Sequence, residues 1–302
     1  MRVHDFENAI SDVIKNNQAT FNFCEEIRKK KIKEYIIDVC FIILLAIISL
    51  KVLSLPILLA LFVIPVGSIY FLMYKIHEYQ IEYKKTCFPL IAEILGFKSI
   101  VFDLDKTEHD KIYFDSKLFD NFSFYTLSDF FEAKHNSTLY KLIEITLFAG
   151  EKYYSKIFQG IVVIYPFKYS KEHIIITTKG NKIASKSKKI KISNQEFKKK
   201  FNFYCVNREI TETELFRNVP TYITKCLIDL QKSYSTKKVK CAIFQDKIMV
   251  AISLNTYLFL TGNLFKSCFD IKSQLNLLKN IQPVSNFIKY LDNKSVEQGE
   301  IL

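Results

Sequence analysis

Hydrophobic positions change their spacing along this chain. In residues 1–34 they recur every three to four places, as Phe6, Ile10, Val13 and Ile14, then Phe21, Cys24 and Ile27, which is one face of a helix. Residues 35–74 read YIIDVCFIILLAIISLKVLSLPILLALFVIPVGSIYFLMY and carry only Asp38 and Lys51 as ionisable groups. Two helical legs of about 19 residues would each measure roughly 28 Å, close to the thickness of a bilayer core. Ser54, Leu55 and Pro56 would supply the reversal. The expectation is a two-helix transmembrane hairpin, with a re-entrant hairpin and a buried soluble helix pair as alternatives. Arg28, Lys29, Lys30, Lys31 and Lys33 precede the apolar block, and Lys75, Lys84 and Lys85 follow it. Basic residues on both flanks predict two spans with the N- and C-termini cytoplasmic.

Helical spacing continues through residues 75–97, a connector ending near Gly96, with Pro89 as a kink and Thr86 as a candidate cap. From residue 98 the pattern shortens to strands: residues 99–102, 141–148, 158–167 and 173–178, with shorter pieces at 191–193 and 201–206. A helix is predicted over 219–234, Asn218 as its N-cap, carrying Ile223, Leu227 and Leu230 on one side. Residues 238–253 read as a β-hairpin turning at Asp246 and Lys247. A last helix covers 271–291. Strands and helices mix without regular alternation, so residues 98–302 are expected to form an α+β cytoplasmic domain after a helical segment (1–34), the hairpin (35–74) and the connector (75–97).

Charge sharpens the question of partners. The 302 residues carry a formal net charge of +12, nearly all from lysine, since arginine stands only at positions 2, 28, 208 and 217. Lysine attracts anions but lacks the fork geometry used to read bases, so anionic lipid headgroups are favoured over nucleic acid. Residues 178–200, TKGNKIASKSKKIKISNQEFKKK, hold nine lysines against Glu196. Together with Arg28, Lys29, Lys30, Lys31 and Lys33, the residues Lys186, Lys188, Lys189 and Lys191 are the candidate anionic-surface contacts. A solvated loop explains the same lysines without a ligand.

Catalytic patterns are thin. The seven cysteines show no C-x-x-C spacing, so reduced buried thiols are expected rather than disulfides or a zinc site. The five histidines form no metal-binding motif, and no dinucleotide or P-loop fingerprint occurs; no metal and no cofactor is expected. Val-Phe-Asp103-Leu-Asp105-Lys-Thr107 has the form of a phosphoaspartyl phosphatase opening, with Asp103 as nucleophile and Asp105 as acid/base. Lys106 stands where that chemistry usually has glycine, and no later acidic pair completes a magnesium site.

Several segments in order resemble a bacterial membrane-anchored family catalogued as domain of unknown function 3137. They are DSKLF (115–119), FYTLSDFFEAKH (124–135), KLIEITLFA (141–149), FQGIVVI (158–164), ISNQEFKKKFNFYCVN (192–207), the Val219-Pro220 helix start and CAIFQDKIMVAIS (241–253). The chain departs from the pattern at Glu214 to Arg217, where the family has E-A-R-Y, and at Val219, where it has threonine. The resemblance implies a protein of the bacterial inner membrane and hands over no catalytic residue. The resulting expectation is a membrane-anchored, non-enzymatic interaction or scaffold module contacting the lipid bilayer and an unknown protein partner. The alternatives are a magnesium-dependent phosphatase using Asp103 and Asp105, or a subunit of an oligomeric transport component.

Overall fold

The computed structural model describes residues 3–52, 57–103, 110–119, 122–136, 138–150, 153–167, 172–181, 187–206, 208–236, 238–259 and 261–297, with side chains placed except at 3, 49–63, 110 and 295–297. The chain divides into two compact units. Met1–Ile94 with Leu260–Leu277 forms a helical unit, and Leu95–Phe259 with Leu278–Leu302 forms a sheet unit.

The helical unit contains α1 (Val3–Asn16), α2 (Gln18–Val52) and α3 (Ile57–Ala92). The sequence spacing holds here: Phe6, Ile10, Phe21 and Cys24 are buried, and Tyr79, Tyr83, Cys87 and Ile91 of α3 are buried in the same unit. Residues 260–277 complete this core with Leu264, Cys268 and Leu275. The Tyr83 hydroxyl donates to Gln274, so a phenol that would be costly to bury alone is satisfied. Gly262 adopts φ +71, and a Cβ there would come within 3.1 Å of Tyr83, which is why glycine stands at this turn. Thr86 is not a cap. It lies inside α3, where its hydroxyl donates to the Glu82 carbonyl at 2.8 Å.

The transmembrane hairpin expected from the sequence is corrected by this structure: among the described residues no helix is long and apolar enough to cross a membrane. Charge interrupts the apolar runs: α2 carries Glu34 and Asp38 at the start of its run, and α3 meets Lys75, His77 and Glu78 at the end of its own. The proposed reversal at residues 53–56 lies outside the described residues.

The sheet unit is α+β, as expected, and built on a nine-stranded sheet in the order β1-β2-β3-β4-β9-β8-β5-β7-β6. The strands are β1 (Lys98–Phe102), β2 (Phe124–His135), β3 (Thr138–Ala149), β4 (Ser155–Pro166), β5 (Ile174–Thr178), β6 (Ser187–Ile190), β7 (Phe201–Val206), β8 (Val239–Phe244) and β9 (Lys247–Ser253). Every described pairing is antiparallel. One face gathers Phe130, Ile143, Ile145, Val162, Phe244 and Met249 into a core that also receives Tyr113 and Leu118, beside α4 (Asp110–Asp115). The central strands are buried on both sides, so β3 and β4 read as nearly continuous apolar runs rather than alternating ones.

The remaining helices are α5 (Gln195–Lys200), α6 (Glu212–Asn218), α7 (Thr221–Ser233) and α8 (Ile271–Glu297). Helix α7 buries Ile223, Leu227 and Leu230, while Leu278, Ile281 and Ile288 are the buried stripe of α8. The rings of Tyr222 of α7 and Tyr290 of α8 meet tilted, their centroids 6.0 Å apart. Asn218 ends α6 instead of capping α7, and Pro220 takes the N-cap position. The β8–β9 turn is centred on Gln245 and Asp246, at φ 48 and 55, one residue earlier than the sequence suggested. Two consecutive left-handed residues match the right-handed twist of the flanking strands.

Candidate functional site

Asp103 follows β1, an edge strand, and its N–H donates to the Phe130 carbonyl at 3.2 Å. Asp105 lies outside the described residues. Phosphoaspartyl chemistry places its nucleophile beyond a central parallel strand, and this sheet offers an antiparallel edge instead. Among the described residues no group of three or more His, Cys, Asp or Glu side chains could hold a metal ion.

The basic run before the apolar block is divided by its partners. Arg28 binds both oxygens of Glu25, at 2.9 and 2.6 Å, and the Leu264 carbonyl at 2.8 Å, so it clamps residues 260–277 against α2. Lys31 and Lys75 join Glu34, Asp38 and Glu78 in a collar of ion pairs between α2 and α3, with Lys31–Glu78 and Lys75–Glu34 both at 3.0 Å. The Lys75 hydrogen bond holds the Glu34 carboxyl below the usual range, burial opposing it. Burial also works against the charge on Lys31, but hydrogen bonds to Glu78 and Glu34 outweigh it and raise the amine. Lys29, Lys30 and Lys33 are exposed.

Beyond this collar the hairpin is apolar and uncovered. Eight side chains of α2, among them Ile36, Ile37, Phe41 and Leu44, and five of α3, including Ile69, Tyr70 and Met73, are exposed large hydrophobics. Ile37 is 65% and Ile69 61% accessible. Half-covering thirteen such groups is worth on the order of 10 kcal/mol of unused burial, and most monomers expose no patch of this extent.

The lysine block forms a second feature. Strand β6 pairs with β7, Ile190 opposite Phe203, and β7 pairs with β5, Phe201 opposite Thr178. This register gathers Lys179, Lys189, Lys191 and Lys198 around a groove of about 370 Å³, with Ile190, Ile192, Phe201 and Phe203 contributing to its lining. Of the four lysines named from the sequence, Lys189 and Lys191 line the groove. Lys188 pairs with Glu209 at 3.3 Å, and Lys186 lies outside the described residues. Lys179 and Lys198 were not singled out, although both stand in the same charge block; only strand pairing brings residues 179 and 198 together.

Two buried polar groups went unread in the sequence. Asp292 of α8, fully buried, accepts from the Tyr165 hydroxyl and meets His135 at the end of β2. Glu144, in mid-β3, accepts from the backbone N–H groups of Leu258 and Phe259 and so pins the segment after β9 to the sheet. Six of the seven cysteines are buried and all are free, as expected. Three of them, Cys24, Cys87 and Cys268, lie within hydrogen-bonding reach of one another in the helical unit, where the bond with Cys24 and then burial hold the Cys87 thiol up at about 12.

Residues 153–293 match the model of a family described as a protein of unknown function, DUF3137. The match takes in the FQGIVVI, ISNQEFKKKFNFYCVN, Val219-Pro220 and CAIFQDKIMVAIS segments, whereas the three segments between 115 and 149 precede it. No curated protein matches this chain, and no solved structure does.

Proposed function

We propose that this chain is a non-enzymatic docking module whose helical hairpin rests in the apolar surface layer of a lipid bilayer. The observation that carries this reading is the uncovered apolar surface on both legs of the hairpin, bounded by the collar of Lys31, Glu34, Asp38, Lys75 and Glu78. A helix pair apolar on several sides needs an apolar phase around it, and side chains lying in the interfacial layer satisfy that need without a full crossing. Tyr70 and Tyr74, both exposed, have the amphipathic rings that suit the headgroup boundary. The collar would mark the limit of immersion, because its paired charges are favourable only where water or partners solvate them.

Flotation of the purified full chain with phosphatidylcholine vesicles tests this. Wild type is expected to rise with the vesicles, and the triple variant Ile37→Asp, Phe41→Asp, Ile69→Asp to stay in the dense fraction with an unchanged circular dichroism spectrum. Wild type remaining in the dense fraction as a discrete oligomer would instead assign the apolar surface to self-association.

A further inference from the structure

We infer that the groove at the β6–β7 edge of the sheet is a binding site for a compact phosphate-bearing anion. The groove lies wholly within the sheet unit, so this inference stands apart from the lipid reading of the hairpin.

The argument rests on how charge is distributed around it. Four lysines, Lys179, Lys189, Lys191 and Lys198, line one cavity, and no ion pair involves any of them among the described residues. The carboxylates of the neighbouring segments are engaged elsewhere. Glu209 holds Lys188, and Glu172 holds Arg208 at 2.7 Å. Glu212 accepts from the Ser193 hydroxyl at 2.6 Å and from the Ser193 and Asn194 N–H groups. Glu214 closes a capping box with Thr211 and also reaches Arg208. Glu196, the one acid of the lysine block, stands in the first turn of α5, where it complements the helix terminus. The groove lysines therefore repel one another with no paired counter-charge among the described residues, a cost that a multivalent anion would remove.

Edge strands often carry lysine merely to prevent edge-to-edge pairing, and the exposed Lys188 and Lys189 serve that purpose on β6. Edge protection does not require lysines from the end of β5 and from α5, Lys179 and Lys198, to converge on the same cavity. Lysine rather than arginine suits a ligand held by point charges from several directions, which is the geometry of a phosphate or polyphosphate and not of a base edge. The volume, about 370 Å³, lies within the range of small-ligand sites. The buried Ile190, Ile192, Phe201 and Phe203 would meet any apolar part of the same molecule.

Isothermal titration of the full chain with tripolyphosphate tests the site, beside the change in vesicle affinity when phosphatidate replaces phosphatidylcholine. One saturable tripolyphosphate site per chain is expected, weakened at least about tenfold by Lys189→Gln with Lys198→Gln and unchanged by Lys29→Gln with Lys30→Gln. If tripolyphosphate gives no heat but the preference for phosphatidate disappears in the first double variant alone, the site holds and its phosphate belongs to a lipid. Absence of both effects, or equal losses in the two double variants, would overturn the inference.

Discussion

His173 is half-buried at the head of β5, its Nε2 3.0 Å from the Ser116 carbonyl and its ring stacked on Phe244 at 5.1 Å. Burial lowers its affinity for a proton; the Ser116 carbonyl opposes this, Lys117 adds to it, and Asp115 offsets part of it. The sign for stability follows. In the unfolded chain a histidine protonates near 6.5, so below that pH the unfolded state takes up more protons and gains ground. The contribution of neutral His173 is whole above about 6.5 and is lost as pH falls towards the folded value. Glu34 and Glu25 are shifted below the ordinary carboxylate range, so their contribution is lost only below about 4.3. Urea unfolding at a series of pH values should therefore show two stages of acid weakening. His173→Gln, which keeps a donor for the Ser116 carbonyl, should abolish the upper stage and leave the lower one. Identical slopes in the two proteins between pH 6.5 and 5 would refute this assignment.

At the scale of elements, Gly160 explains one of the motifs by which the chain resembles the DUF3137 family. It sits in β4 with φ +152, paired with Ile145 on one side and Ser253 on the other, and a Cβ there would stand 2.0 Å from the Ile252 carbonyl oxygen. The backbones of β4 and β9 approach too closely for any side chain. Gly180 also has a left-handed φ, +83, but nothing lies within 4 Å of its virtual Cβ. Gly180→Ala should cost only the backbone strain of about 1–2 kcal/mol, whereas Gly160→Ala should cost more than about 3 kcal/mol or prevent folding. Denaturant titration of the two variants separates these outcomes, and equal losses would contradict the close approach.

The same scale shows what could be read in advance. Strands β3, β4, β5, β7 and the β8–β9 hairpin follow from runs of β-branched and aromatic residues bounded by turns. Strand β2 hides because a register shift between Leu127 and Asp129 and the adjacent Phe130 and Phe131 break its alternation. Helix α6, only seven residues long, is absent from the sequence reading, although Thr211-x-x-Glu214 has the spacing of the capping box it forms. Strand β6 falls at 187–190 instead of 191–193 because pairing with β7, not local propensity, sets its limits. The groove lysines were legible as a charge block but not as a site, since convergence of residues 179 and 198 depends on β5, β7 and β6 lying side by side. Asp292 and His135, 157 positions apart, left no local signal at all.

At the scale of the whole molecule, a sheet unit with a large buried core is joined in one chain to a helical unit whose hairpin is not covered. The sheet unit hydrogen-bonds its deeply buried Asp292 and Glu144 and gathers most of its large apolar side chains into a buried core, those left exposed, such as Val101, Leu139 and Tyr153, being spread along the sequence. The hairpin does the opposite, which is hard to reconcile with water on all sides and fits a surface made to be occupied. The chain contains no tryptophan, so a single Phe41→Trp substitution places one fluorophore on the apolar surface. With phosphatidylcholine vesicles its emission should shift to the blue and be quenched by brominated acyl chains while becoming shielded from acrylamide. Emission that stays at solvent wavelengths, open to acrylamide and indifferent to brominated lipid, would contradict the account.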